Sequence, residues 1–488
     1  MLIVLLAVPA ATALLCGLLW RRPWVEWLNA AGAAATLGAA LLVAGQVLAT
    51  SEVEALWGLL RVDALSALFL VLVAFVGLLG ALYSIEYLRH DVAAEHIPLK
   101  QAGWFYPGLH AFLWTMLATV CVANLGLLWV AVEATTLASA LLVGFYRTRA
   151  ALEAAWKYLI LCTVGITFAL FGILLTYVAV TQALGEHSAS LDWHAIARTA
   201  SRLDPELMKL AWVFIVIGFG AKAGIAPLHT WLPDAHSQAP SPISAVLSGV
   251  LLNCALYSIL RFRPIADASI GDALTGGILL GFGLFSVAVA APFILVQRDV
   301  KRLLAYSSVE HIGLAIAAFG LGGAATFAGL LHLVHHSITK PLLFFAAGDL
   351  VNRFQSHRIA RIRGALRAAP FSGTLFCLGV FAIVGLPPSG IFVSELGILW
   401  AGISQGRVWP TLVLIALLTI VFVGMIWHLV TSAFGEPGPA PGEGARRWTT
   451  RTAMVVPAML VVILGVYTPG PLQLLLDRSV AILSGASR

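Results

Sequence analysis

Runs of apolar residues alternate with short polar stretches along the whole chain. Measured against the roughly 20 residues a helix needs to cross a bilayer, they predict about 14 transmembrane helices. The runs lie near 2–20, 27–48, 64–86, 108–123, 125–146, 155–181, 208–230, 241–261, 272–296, 301–319, 323–349, 371–402, 408–433 and 451–469. The strict alternation of a membrane barrel is absent, and helices satisfy their own backbone hydrogen bonds in lipid. The longest polar loops, 182–207, 350–370 and 434–450, are too short for a soluble domain with its own core. No cofactor is therefore expected on this chain, and any redox centre belongs to a partner.

Two runs are interrupted. "AKAGIAPLHTWLP" at 221–233 carries Lys222 ahead of Pro227 and Pro233, with His229, Asp234 and His236 around the break. "VGLPPSGIFVSELGIL" at 384–399 places Pro387, Pro388 and Gly390 ahead of Glu395. The two lie about five spans apart, and an odd offset reverses direction across the membrane, so they read as an inverted-topology repeat around a transport site. The expected fold is an all-α polytopic membrane protein with two inverted five-helix repeats, each with a broken helix. Residues 1–107 hold the first three helices. Residues 108–261 form the first repeat, 262–435 the second, and 436–488 the last helix and a tail.

Composition agrees with this reading. Of 488 residues, 60% are hydrophobic and 11% charged, and the mean hydropathy is +0.94. The net charge of +6 is spread over short loops, which points to no nucleic acid. Eighteen of the 29 Lys and Arg residues fall on one side of the predicted topology, Arg358, Arg446 and Arg447 among them. Nine, including Arg202 and Arg488, fall on the other, and Lys222 and Lys340 lie within spans. The positive-inside bias then puts both termini outside. Cys16, Cys121, Cys162, Cys254 and Cys377 lie in apolar runs without a CxxC pair and read as core residues. Residues 1–20 lack a basic leading region, and Arg21 and Arg22 follow the apolar run, which suits an uncleaved first span.

An ionisable side chain at mid-membrane costs about 2.5–3.5 kcal/mol on insertion scales, so each such residue is a functional candidate. Glu133 stands in "LLWVAVEATTLASALLVGF" with no other charge nearby, and Lys222 is its expected partner. Such a pair is either a switchable proton carrier or a static ion pair that fixes helix packing. His332, His336 and Lys340 are spaced i, i+4, i+8 on one helical face, fit for a proton relay through water. A zinc site is the rival, but no cysteine or close carboxylate completes four ligands, so no metal is expected. His335 is expected off the face, as a core histidine. Glu310 and His311 in "VQRDVKRLLAYSSVEHIG" stand open between pathway and structural roles, while Asp299, Lys301 and Arg302 read as a charged turn.

Four segments carry a family resemblance: "AKAGIAPLHTWLPDAHSQAPSPISAVLSGVLL", "RDVKRLLAYSSVEHIG", "HLVHHSITKPLLFFAAG" and "GLPPSGIFVSELGIL". They resemble the antiporter-like, proton-translocating membrane subunits of respiratory complex I. Mrp-type cation/proton antiporters and group 4 hydrogenases carry related subunits. The resemblance covers roughly residues 60–435 and implies 14 helices, two inverted repeats and both termini outside. It implies that Glu133 and Lys222 match the glutamate–lysine pair of the first half-channel. His332, His336 and Lys340 match the central hydrophilic axis, and Glu395 the distal residue of the second half-channel. One departure is Asn253, which stands where M- and N-type subunits carry a bridging lysine. Residues 129–161 look most like the F component of hydrogenase-4-type complexes, with the M-like subunit of complex I as the near rival.

The function implied is coupled proton translocation by a subunit without a redox centre, in a hydrogenase-4 or formate-hydrogenlyase-like assembly. An M-type subunit of NADH–quinone oxidoreductase or an Mrp-type sodium/proton antiporter subunit is the alternative. A membrane scaffold whose charges only hold helices together is the alternative of another class. Expected partners are other membrane subunits, a peripheral redox arm, the lipid bilayer, and protons or sodium. The expected location is the plasma (inner) membrane of a bacterium or archaeon.

Overall fold

The computed structural model describes residues 1–185, 187, 189–436 and 448–485. Arg446, Arg447 and Arg488, used in the charge count, lie outside the described residues. The first elements are α1 (Leu2–Leu18), α2 (Val25–Thr50), the antiparallel hairpin β1 (Val53–Ala55) and β2 (Leu60–Val62), α3 (Ala64–Ala93), α4 (Leu99–Cys121), α5 (Leu125–Val143) and α6 (Arg149–Leu184). Then come α7 (Trp193–Thr199), α8 (Pro205–Ala223), α9 (Trp231–Gln238), α10 (Ser241–Val246), a π-helical turn at Leu247–Leu251, and α11 (Leu252–Ile270). The rest are α12 (Asp272–Val296), α13 (Val300–Leu321), α14 (Ala324–Phe354), α15 (Ala365–Ala368), α16 (Pro370–Ile383), α17 (Gly390–Ser404), α18 (Val408–Ala433), α19 (Trp448–Val466) and α20 (Gly470–Leu483).

Short polar side chains start many of these helices. Asp63, Asn124, Thr148, Asp204 and Asp299 each accept a hydrogen bond from the first turn they precede, satisfying backbone donors that have no partner inside the helix. Among the described residues, nine helical segments are long and apolar enough to cross a bilayer. With α1, the α16–α17 pair and the more polar α4, α8 and α14, they are consistent with about 14 crossings. Two details differ from the apolar pattern. α4 begins nine residues before its apolar core, because Pro98 opens it. The loop expected at 182–207 contains α7, and the expected tail contains α20, which packs on α3.

Both predicted interruptions are present, and they are built alike. α8 ends at Gly224 (φ +77°): Gly224 N–H bonds to Ala221 O at 3.3 Å and Ile225 N–H to Gly220 O at 3.1 Å. α16 ends before Gly385 (φ +69°): Gly385 N–H bonds to Ala382 O at 3.2 Å and Leu386 N–H to Phe381 O at 3.0 Å. Each is a Schellman termination, in which a glycine turns left-handed and ties off the last carbonyls. Each glycine is followed three residues on by a cis proline, Pro227 or Pro388. Counted from these glycines, Glu395 matches Asp234, while Lys222 matches Ile383. Glu395 thus takes the place of Asp234 at the second break, not the place of Lys222.

Small residues bring the site helices close. Gly165 and Gly172 of α6 and Gly218 of α8 leave no room for a side chain against the facing helix, and Ala169 and Ala221 fill the contact. α12 and α13 meet the same way through Gly276, Gly283, Gly313 and Gly320. Lipid offers no hydrophobic drive for helices to associate, so close backbone approach supplies the packing. α14 is buried along most of its length among α13, α16, α17 and α19.

Candidate proton pathway

The Lys222 ammonium is fully buried. Its Nζ donates to the Tyr158 hydroxyl at 2.6 Å and to Thr136 Oγ1 at 2.8 Å. It also lies 4.8 Å from the centre of the Tyr158 ring. Tyr158 shares its hydroxyl with Ser139 at 2.6 Å. Across the break, the Trp231 indole donates to Ala221 O at 2.9 Å and packs 4.7 Å from Tyr158, centre to centre, folding α9 back over Lys222.

Glu133 is not in direct contact with Lys222. Thr136 stands between them, donating to Glu133 Oε2 at 3.2 Å, and Thr163 donates to Oε1 at 2.9 Å. The reason is helical register. Glu133 and Thr136 are neighbours one turn apart on α5, and only Thr136 reaches α8. The expected carboxylate–amine pair is therefore a hydroxyl-bridged one.

The residues beyond the break separate into two settings. Asp234 is partly exposed and bound by two cations, Lys157 of α6 at 3.2 Å and Arg302 of α13. It joins α6 and α13 through a partly exposed cluster of charges. His229 is 6% exposed and lies 6.2 Å from the Tyr306 ring. His236 is fully buried, its ring stacked 5.2 Å from Phe344 of α14, with no protein partner at either ring nitrogen.

Lys340 is also fully buried, and its Nζ donates to Ser307 Oγ at 2.6 Å and Leu304 O at 2.9 Å, both on α13. Asn253 donates to Ser337 of α14 at 2.6 Å and to Gly249 O at 3.1 Å, and its Oδ1 is unpartnered. It thus ties the helix behind Lys222 to the helix of Lys340 with a neutral amide.

The histidines form a chain with α13 and α17. His311 Nε2 lies 3.2 Å from Glu310 Oε2, and His311 Nδ1 is 3.0 Å from His332 Nε2. His332 Nδ1 is 3.1 Å from Ser394 Oγ, which His335 Nδ1 also approaches at 3.3 Å. His335 is the buried core histidine expected, but it shares Ser394 with His332 instead of pointing away from it, since residues i and i+3 are helix-surface neighbours. His336 points at the same cluster, its ring 5.6 Å from His311, with both nitrogens unpartnered. Glu310, His311 and Glu395 present one donor atom each within 4.8 Å of one another. Glu395 packs its carboxylate against Gly385 of the second break, whose left-handed φ of +69° favours glycine.

Sequence reasoning missed the hydroxyls: Thr136, Ser139, Tyr158, Ser307 and Ser394. Their only signal was the placing of Ser, Thr and Tyr within apolar spans. Such residues usually bond the preceding turn of their own helix, so the sequence alone did not single these out.

Comparison with known proteins bears on this arrangement. The family model "NADH:quinone oxidoreductase/Mrp antiporter, TM" matches residues 123–423. The model "NADH-Ubiquinone oxidoreductase (complex I), chain 5 N-terminus" matches residues 49–95. A hydrogenase-4 component F homolog of Methylacidiphilum infernorum is 41% identical over 84% of this chain and 85% of its own length. The fold aligns with a chain of the archaeal membrane-bound sulfane sulfur reductase complex at TM-score 0.88 and 24% identity, covering 100% of this chain and 98% of that one. It aligns with a chain of the Mrp complex from Dietzia sp. at TM-score 0.84 and 20% identity, covering 98% and 97%. With the fully buried Lys222 and Lys340, a histidine chain and two like-built helix breaks inside the matched region, this chain belongs to the NADH:quinone oxidoreductase/Mrp antiporter transmembrane family.

Proposed function

We propose that this chain is a proton-translocating, antiporter-like membrane subunit of a redox-driven complex of the hydrogenase-4 type. The observation that carries this reading is the setting of Lys222. Its ammonium is fully buried, held by neutral hydroxyls, and its countercharge is one hydroxyl away. A static ion pair would place carboxylate and amine in contact, since a buried charge is stabilised by direct pairing. A bridged pair can be tightened or loosened by a small movement of α5 against α8, and such a movement changes how firmly Lys222 holds its proton.

The route runs from Glu133 and Lys222 past Asn253 and His236 to Lys340. It continues through His336 and the His332–His311 chain to Glu310 and Glu395. His236, His336 and the Asn253 carbonyl have unpartnered polar atoms along this middle stretch, as a relay through water requires. Residues 108–261 and 262–435 act as the two inverted halves. His229 wets the first break, while Asp234 clamps the α6, α9 and α13 ends at the surface. Moving one charge across the membrane requires about 2.3 kcal/mol per 100 mV. A peripheral redox arm and neighbouring membrane subunits supply it, and this chain carries no redox centre. The complex lies in the plasma membrane of a bacterium or archaeon, with both termini of this chain outside.

The test is proton flux in vesicles reconstituted with the complex. Lys222→Met is expected to abolish flux while the complex assembles and electron transfer persists. Normal flux from that variant overturns the reading.

A further inference from the structure

We propose that Glu310, His311 and Glu395 form a binding site for a divalent transition-metal ion of the zinc class, whose occupancy blocks the second half of the pathway. The inference rests on the pathway reading only for its consequence. The site itself rests on geometry.

One imidazole and two carboxylates converge, with donor atoms within 4.8 Å of one another. Ligands on a tetrahedral ion at bond lengths near 2.0–2.2 Å stand roughly 3.3 Å apart. The His311 Nε2 to Glu310 Oε2 separation is 3.2 Å, so those two already stand at that spacing. Glu395 closes the remainder from a helix end beside the second break. Glu310 is 1% exposed and its Oε1 has no partner, so an unsatisfied acceptor is buried at the cluster. His336 adds a fully buried imidazole with both nitrogens unpartnered, its ring 5.6 Å from that of His311.

The surroundings of His311 also suit a ligand. A metal-bound imidazole engages its second nitrogen with a neighbour, which fixes the ring. His311 Nδ1 is held by His332 at 3.0 Å, and His332 in turn by Ser394 at 3.1 Å. The donor set selects the ion class. Mg2+ and Ca2+ favour six or more oxygens, whereas an imidazole with carboxylates suits Zn2+ and its neighbours. An ion there ties up Glu310, His311 and Glu395 together, and with them the route from Lys340 outward.

The experiment uses the purified, assembled complex titrated with Co2+, a spectroscopic stand-in for Zn2+. Expected is one equivalent per chain with visible ligand-field bands, displaced by Zn2+. Glu310→Gln and Glu395→Gln each lose the bands. Lys222→Met loses flux but keeps them, which separates this site from the pathway reading. Absence of bands in the wild type, or bands unchanged in Glu310→Gln, overturns the proposal; the latter identifies a surface site. X-ray absorption on the zinc-loaded wild type needs no variant. One or two imidazoles with oxygen ligands, and no sulfur, are expected; a sulfur ligand or an all-oxygen shell overturns the site.

Discussion

The Lys222 ammonium and the Glu133 carboxylate are joined through a single hydroxyl, that of Thr136, at 2.8 Å on one side and 3.2 Å on the other. Removing that hydroxyl tests the bridge without touching either charge. Thr136→Val keeps the shape and deletes both hydrogen bonds, each to a charged group and each worth about 1.5–3 kcal/mol. A loss of about a hundredfold or more in proton flux is expected. Thr136→Ser should retain most of it. Equal flux in the valine and serine variants means the bridge has no role.

Lys222→Arg separates charge from proton exchange. Arginine keeps the positive charge but does not release its proton in proteins. Flux is expected to stay at the Lys222→Met level. Recovery with arginine would show that a fixed charge suffices, and would favour a packing role for the pair.

Ser394 is the shared partner of His332 and His335. Ser394→Ala is expected to lower flux, and so is His335→Ala. His336→Ala is expected to have the largest effect, because it lies between Lys340 and His311 on the route. An unchanged flux in the double His332/His336 alanine variant removes the histidine chain from the pathway.

Gly218 packs against the backbone of Ala169, where a side chain has no space. Gly218→Val is expected to destabilise the chain by about 1–3 kcal/mol, the usual range for overpacking. The readout is a lower Tm of the purified complex. An unaltered Tm would mean that α6 and α8 are not held at this separation.

Orientation is testable by cysteine labelling with an impermeant reagent in intact cells. Arg202→Cys should react and Arg358→Cys should not. Reaction at 358 reverses the proposed topology, and the direction of transport with it.

The sequence by itself determined the helical, membrane-crossing class, both helix breaks and the place of Lys222, His332, His336 and Lys340 within apolar spans. These are local properties: apolar runs have a length, and glycine and proline act on the backbone around them. It also placed His332, His336 and Lys340 on one face, because that follows from helical spacing. What it could not decide was which side chains meet between helices. Lys222 finds Thr136 and Tyr158 from α5 and α6 because glycines let α6 and α8 approach. Asp234 finds Lys157 and Arg302 across two helices, and His335 meets Ser394 of α17. Nor could it bring Glu310 and His311 of α13 beside Glu395 of α17. Those contacts depend on the crossing of helices far apart in the chain, set by small-residue packing over whole faces. No local pattern encodes them.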